Sequence, residues 1–149
     1  ATEDLQGAVF MKWAVTPPSE AVILIVEDNL NNFILMTRLL AFLGVKKCEW
    51  KASGWKVLEF AETLGKIDLI LMDIALPDAD GYASLDSLRS DARFSNVPIV
   101  AVTADVSPAN LSRAKEAGFN GFIGKPLDPD RFPNQIRRVL QGEEVWERS

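Results

Sequence analysis

The chain predicts a doubly wound α/β domain: a five-stranded parallel sheet, strand order 2-1-3-4-5, with five helices over its two faces. Three observations carry this expectation. Short apolar, β-branched runs alternate with amphipathic segments along most of the chain. The connections are short, which favours right-handed crossovers onto one parallel sheet. The length, 149 residues, suits one domain that buries its own core.

Taken in order, the breaker cluster "TPPSE" (16–20) marks the end of an N-terminal extension or linker over 1–20. "AVILIVEDN" (21–29) reads as a buried first strand ending in Glu27 and Asp28. Asn29 can cap the first helix (30–44), which Gly44 closes. "VKKCEWKAS" (45–53) reads as a more exposed second strand. The next segment, 54–65, places Val57, Leu58, Ala61 and Leu64 on one helical face. "KIDLILMD" (66–73) is the third strand, and 81–94 a helix with Tyr82, Leu85 and Leu88 inward. "VPIVAVTA" (97–104) is the fourth strand, ending near Thr103. Ser107 can cap a helix over 108–118, with proline at its start and glycine at its end. "FNGFIG" (119–124) is a short fifth strand, followed by Lys125 and Pro126. Asp128 is expected to cap the last helix, with Pro133 forcing a kink or a late start. A folded unit over 21–141 and a loosely held tail over 142–149, pinned only by Trp146, complete the expectation.

Composition narrows the function. Hydrophobic residues make up 48% and charged residues 25%, a globular balance. A net charge of −5 without a long basic run argues against direct nucleic-acid binding. One cysteine, Cys48, excludes a disulfide framework and fits a reducing compartment. The absence of histidine excludes histidine-based zinc sites and Ser/His or Cys/His catalysis. The acidic start does not look like a signal peptide. "GAVFMKWAV" is far shorter than the ~20 apolar residues that span a bilayer. The expectation is a cytoplasmic protein that does not engage a membrane.

The chemistry gathers at the strand ends, where open α/β sheets place their sites. Glu27 and Asp28 end the first strand, Asp73 the third, Thr103 the fourth, and Lys125 follows the fifth. With strands one and three adjacent, three carboxylates meet. Their mutual repulsion calls for a compensating charge. A hard divalent cation bound through oxygen supplies it, and Mg²⁺ suits a site with one or two carboxylates and several waters. Lys125 adds a second positive charge, and Thr103 a small hydroxyl. So compensated, Asp73 can act as a nucleophile that forms an aspartyl phosphate. Other readings exist: Asp28 as a helix cap, Phe122 as core, Asp78 and Asp80 as turn residues, Arg137 and Arg138 as a solvated face. The four tryptophans, at 13, 50, 55 and 146, read as packing residues.

"VEDN" (26–29), "LMDIALPDADG" (71–81), "VTA" (102–104) and "GKP" (124–126), in this order, resemble a two-component response-regulator receiver domain of the chemotaxis type, with its flavodoxin-like fold. The resemblance covers about residues 21–141. It implies Asp73 as phosphoacceptor and Asp28 as a direct Mg²⁺ ligand. Glu27 would hold a metal-bound water, and Ala75 would ligate through its backbone carbonyl. Lys125 would pair with Asp73 or the phosphoryl group, and Thr103 would close on that group. Phe122 occupies the aromatic switch position. Glu27 stands where aspartate is more frequent, and Ala75 where some receivers carry a polar side chain.

The implied function is a phosphoaccepting switch, loaded by a histidine kinase or phosphotransfer protein and read by an unknown downstream protein. It would not be an enzyme beyond self-catalysed transfer and autodephosphorylation. The donor is expected to cover Asn29, Leu30, Asn32, Pro126 and Leu127. The readout face is expected near Lys115, Phe119 and Arg137. Residues 1–20 and 142–149 are too short for an output domain, so the chain is expected either to act by protein–protein contact or to be a fragment of a hybrid kinase or larger regulator. One alternative is a pseudo-receiver that binds partners without phosphate. Another is a haloacid-dehalogenase-like phosphohydrolase, but its "DxD" arrangement is not matched by "EDN" at the first strand.

Overall fold

The computed structural model of the chain describes residues 2–3, 9–75 and 81–148. Its main sheet contains β1 (Val22–Val26), β2 (Lys47–Lys51), β3 (Leu69–Met72), β4 (Ile99–Thr103), β5 (Gly121–Gly124) and β6 (Val145–Glu147). All pairings are parallel, in the order β2-β1-β3-β4-β5-β6. The helices are α1 (Leu30–Leu43), α2 (Val57–Leu64), α3 (Gly81–Arg89), α4 (Pro108–Ala117) and α5 (Phe132–Leu140). Thr2–Glu3 and Val9–Phe10 form a separate antiparallel pair. Among the described residues no helix is long and apolar enough to cross a membrane.

The apolar runs become the central strands because both of their faces are covered. β3 and β4 are buried at every residue, and β1 at every residue after its first. Side-chain alternation divides the core in two. Leu24, Val26, Ile70, Met72, Ala101 and Phe122 point toward α2, α3 and α4. Ile23, Ile25, Leu71, Val100, Val102 and Ile123 point toward α1 and α5. Local signals set the helix ends. Asn29 accepts from the Asn32 N–H at 3.0 Å, and Gly44 closes α1 in the left-handed region at φ 103°. Ser107 accepts from the Asn110 N–H at 3.2 Å, with Pro108 in the first turn of α4.

Several expectations change. The sheet has six strands rather than five, because the tail is not loose: β6 pairs with β5 in the register Gly121↔Val145, Phe122↔Trp146, Ile123↔Glu147. A three-residue strand after Gly142 carries too little alternation to be read from sequence. Its strength is tertiary: Val145 is fully buried, and Glu147 accepts from Gln135 at 2.7 Å, Arg131 at 2.9 Å and Arg138 at 2.9 Å. The last helix starts late, at Phe132, with Pro133 in its first turn where its missing N–H costs nothing. Asp128 caps the turn that leads into it: its side chain accepts from the Asp130 N–H at 2.9 Å, and its carbonyl from the Arg131 and Phe132 N–H groups. α2 begins at Val57, after Lys56 turns through the left-handed region, and α3 ends at Arg89. Residues 12–16 run along the end of α5: Lys12 donates to Gly142, the Trp13 indole to Val139 and Thr16 to Leu140.

Candidate functional site

Pairing of β1 with β3 brings the strand ends together, and the Asp73 N–H donates to the Val26 carbonyl at 3.0 Å. One carboxylate oxygen from each of Glu27, Asp28 and Asp73 lies within 4.8 Å of the others. Glu27 is 1% exposed and Asp73 8%, whereas Asp28 is exposed. Behind Asp73, α3 packs close through Gly81, where a Cβ would lie 2.7 Å from the Ile74 Cα. Asp78 and Asp80, read as turn residues, lie outside the described residues.

Lys125 reaches into this cluster from the end of β5. Its Nζ donates to Glu27 Oε2 at 2.6 Å and to Asp73 Oδ2 at 2.8 Å. Burial pulls its pKa down, but the hydrogen bonds to Asp73 and Glu27, with their charges, outweigh burial and hold it above the ordinary lysine value. The ammonium therefore stays charged where the carboxylates need it. Asp73 Oδ1 accepts from the Ala75 N–H at 2.9 Å, which fixes the carboxylate plane. Thr103 is fully buried, its carbonyl accepts from the Lys125 N–H at 2.8 Å, and its Oγ1 accepts from the Asp105 N–H at 3.2 Å. The loop after β4 and the start of the Lys125 segment are thus tied to one residue.

The structure gathers Glu27, Asp28, Asp73 and Lys125 in one cluster, with Ala75 bonded to Asp73 and Thr103 to the Lys125 backbone. Phe122 does not belong to the acidic group: it is wholly buried in the core beneath α4. Two partners of Glu27 escape sequence reasoning. The Trp50 indole donates to the Glu27 carbonyl at 2.7 Å while its ring stacks on Phe33, and the Asn29 N–H donates to Glu27 Oε1 at 3.1 Å. Trp50 sits on β2 with no local pattern to link it to Glu27. Trp55, expected to pack, is 62% exposed.

In ionised form, three carboxylates against one ammonium leave a net charge of −2, which one divalent cation neutralises. The donor set is all oxygen and suits a hard cation. The exposed Asp28 gives it access from solvent.

Comparison with known proteins agrees. The model of the response regulator receiver domain matches residues 23–137. The polar-differentiation response regulator DivK of Brucella ovis is 33% identical over 118 residues, covering 79% of this chain and 94% of DivK. The sensor histidine kinase CheAY of Helicobacter pylori is 30% identical over 127 residues, covering 85% of this chain but only 16% of the kinase. Among solved structures, the receiver domain of sensor histidine kinase PA1611 from Pseudomonas aeruginosa PAO1 superposes with a TM-score of 0.68 at 32% identity, over 81% of this chain and 94% of that one. That structure holds a magnesium ion in its active-site cleft. The chain belongs to the response regulator receiver domain family, the phosphoaccepting switches of two-component signalling.

Proposed function

We propose that Asp73 is the phosphoacceptor, loaded by a histidine kinase or a histidine phosphotransfer protein in the presence of Mg²⁺. The observation that carries this is the half-buried Lys125 ammonium bridging Asp73 Oδ2 and Glu27 Oε2 beside the exposed Asp28. Asp28, Asp73 and the Ala75 carbonyl would hold the ion, with Glu27 on one of its waters. Mg²⁺ would supply charge neutralisation for the phosphoryl oxygens.

The chain's own residues do the rest. An Asp73 carboxylate oxygen donates the electron pair that forms the new O–P bond. The N–P bond of the donor phosphohistidine breaks, and its electron pair returns to the imidazole, which leaves neutral with a proton on its other nitrogen. Lys125 turns from the carboxylate to the incoming phosphoryl oxygens, and Thr103 donates its hydroxyl to one of them. Positioning and charge neutralisation are the main needs of such transfer. Leu30, 52% exposed at the start of α1, lies on the surface a donor would cover. The domain acts as a switch whose surface changes on loading, not as a turnover enzyme.

Acetyl phosphate with Mg²⁺ tests this reading. Wild type should take up a phosphoryl group with Mg²⁺ and none when a chelator is present from the start, and Asp73→Asn should take up none in either case. Equal labelling of both proteins would overturn it. A folded protein that neither labels nor binds Mg²⁺ would be an interaction module instead.

A further inference from the structure

β6 covers the outer edge of β5, and β5 is shaped for it. A Cβ at Gly121 would lie 2.7 Å from the Val145 carbonyl oxygen, and one at Gly124 would overlap the Arg148 backbone. Trp146 packs half-buried against the cluster that contains Phe122, with the Lys115 ammonium 5.1 Å from its ring centroid. Glu147 is held by Arg131, Gln135 and Arg138 of the α5 segment. The edge formed by α4, β5 and α5 therefore already carries an occupant, and that occupant is this chain.

Its last contact reaches the site. Arg148 Nε donates to the Val106 carbonyl at 2.6 Å. Val106 follows Asp105, whose N–H donates to Thr103 Oγ1 at 3.2 Å, and the Val106 side chain lies against Gly124, the residue before Lys125. The 104–106 loop is thus held at one end by the buried Thr103 hydroxyl and at the other by the C-terminal segment.

We propose that residues 145–148 form a latch, which holds the 104–106 loop at rest and lets go when Thr103 engages a phosphoryl group on Asp73. This rests on the phosphoacceptor reading above. A Thr103 hydroxyl drawn toward a phosphoryl oxygen carries with it the loop that hydrogen-bonds to it. Val106 cannot follow without losing Arg148 and its seat on Gly124. Freed of that anchor, β6 is held on β5 by its three paired residues Val145, Trp146 and Glu147 alone, and the α4–β5–α5 edge opens for a partner. Coupling is reciprocal, so loosening the latch must favour the loaded state.

The experiment uses the full chain with beryllium fluoride and Mg²⁺ as the phosphoryl mimic. Amide hydrogen exchange is followed over 145–147, and beryllofluoride affinity is measured for wild type, Arg148→Ala and Glu147→Gln. Loading should speed exchange at these amides by about tenfold or more. Arg148→Ala should bind the mimic about fivefold more tightly, the low end of usual coupling, and Glu147→Gln should shift the same way. If wild type binds the mimic but exchange at 145–147 and both variant affinities are unchanged, the latch is refuted and the phosphoacceptor reading stands. If wild type does not bind the mimic with Mg²⁺ present, the phosphoacceptor reading fails and the latch fails with it.

Discussion

Replacing Lys125 with Met removes the ammonium while keeping most of the apolar stem. In wild type that ammonium sits 2.6 Å from Glu27 Oε2 and 2.8 Å from Asp73 Oδ2. At such distances each contact carries roughly 6 kcal/mol of gross Coulomb attraction at an effective dielectric of about 20. Desolvation of three charged groups offsets most of this, and removing one partner of a buried pair costs about 3–5 kcal/mol. The Lys125 side chain is 13% exposed, so the low end applies and the expected loss is about 3 kcal/mol. For a chain of this size that corresponds to a Tm fall of roughly 6–12 °C. The assay is urea unfolding in chelator, repeated with millimolar Mg²⁺, which should restore the variant more than wild type because it replaces the missing positive charge. A loss below about 0.5 kcal/mol in chelator, the range of ordinary surface substitutions, would refute the reasoning.

Three further outcomes follow from particular contacts. Burial raises the Glu147 carboxyl, but hydrogen bonds from Gln135 and Arg138 and the charges of Arg138 and Arg131 outweigh it and hold the pKa below the ordinary 4.5. Its stabilisation is therefore present above 4.5 and is lost as pH falls through the depressed folded value, so Glu147→Gln should flatten the acid limb of stability measured by urea unfolding. Burial, with Glu49 nearby, pushes the Cys48 thiol up to about 11, so alkylation of the folded protein at pH 8 should run roughly a hundredfold slower than in urea. Trp50→Phe leaves a smaller aromatic ring against Phe33 but removes the donor to the Glu27 carbonyl, and should cost about 1 kcal/mol or more by the same unfolding measurement.

The parts legible in the sequence are those set by local pattern. "ILIV", "LILM" and "IVAV" are buried on both faces and read as central strands, and Glu27, Asp28, Asp73 and Thr103, which follow them, must stand at the carboxyl edge. Asn29, Gly44, Ser107 and Gly118 end their helices through their own side chains or their own φ. What stayed hidden depends on distant partners. Lys125 is expected beside Asp73 from the sequence, but its direct bond to Glu27, 98 positions away, is not, since it depends on how far the side chain reaches across the sheet edge. β6 exists because Glu147 finds two arginines and a glutamine and because two glycines of β5 leave room, and neither fact shows in "VWE" itself. The Trp50 indole has the same character, since its partner is a backbone carbonyl on the neighbouring strand.

The central claim is that the charge cluster at the strand ends makes Asp73 the acceptor of a phosphoryl group. Its most direct test is to load the full chain with acetyl phosphate and Mg²⁺, digest it, and locate the adduct by peptide mass spectrometry after borohydride reduction. Conversion to homoserine is expected at one residue, Asp73, and hydroxylamine applied before the reduction should abolish it, as an acyl phosphate requires. A label on another residue, or one that survives hydroxylamine and persists in Asp73→Asn, would contradict it.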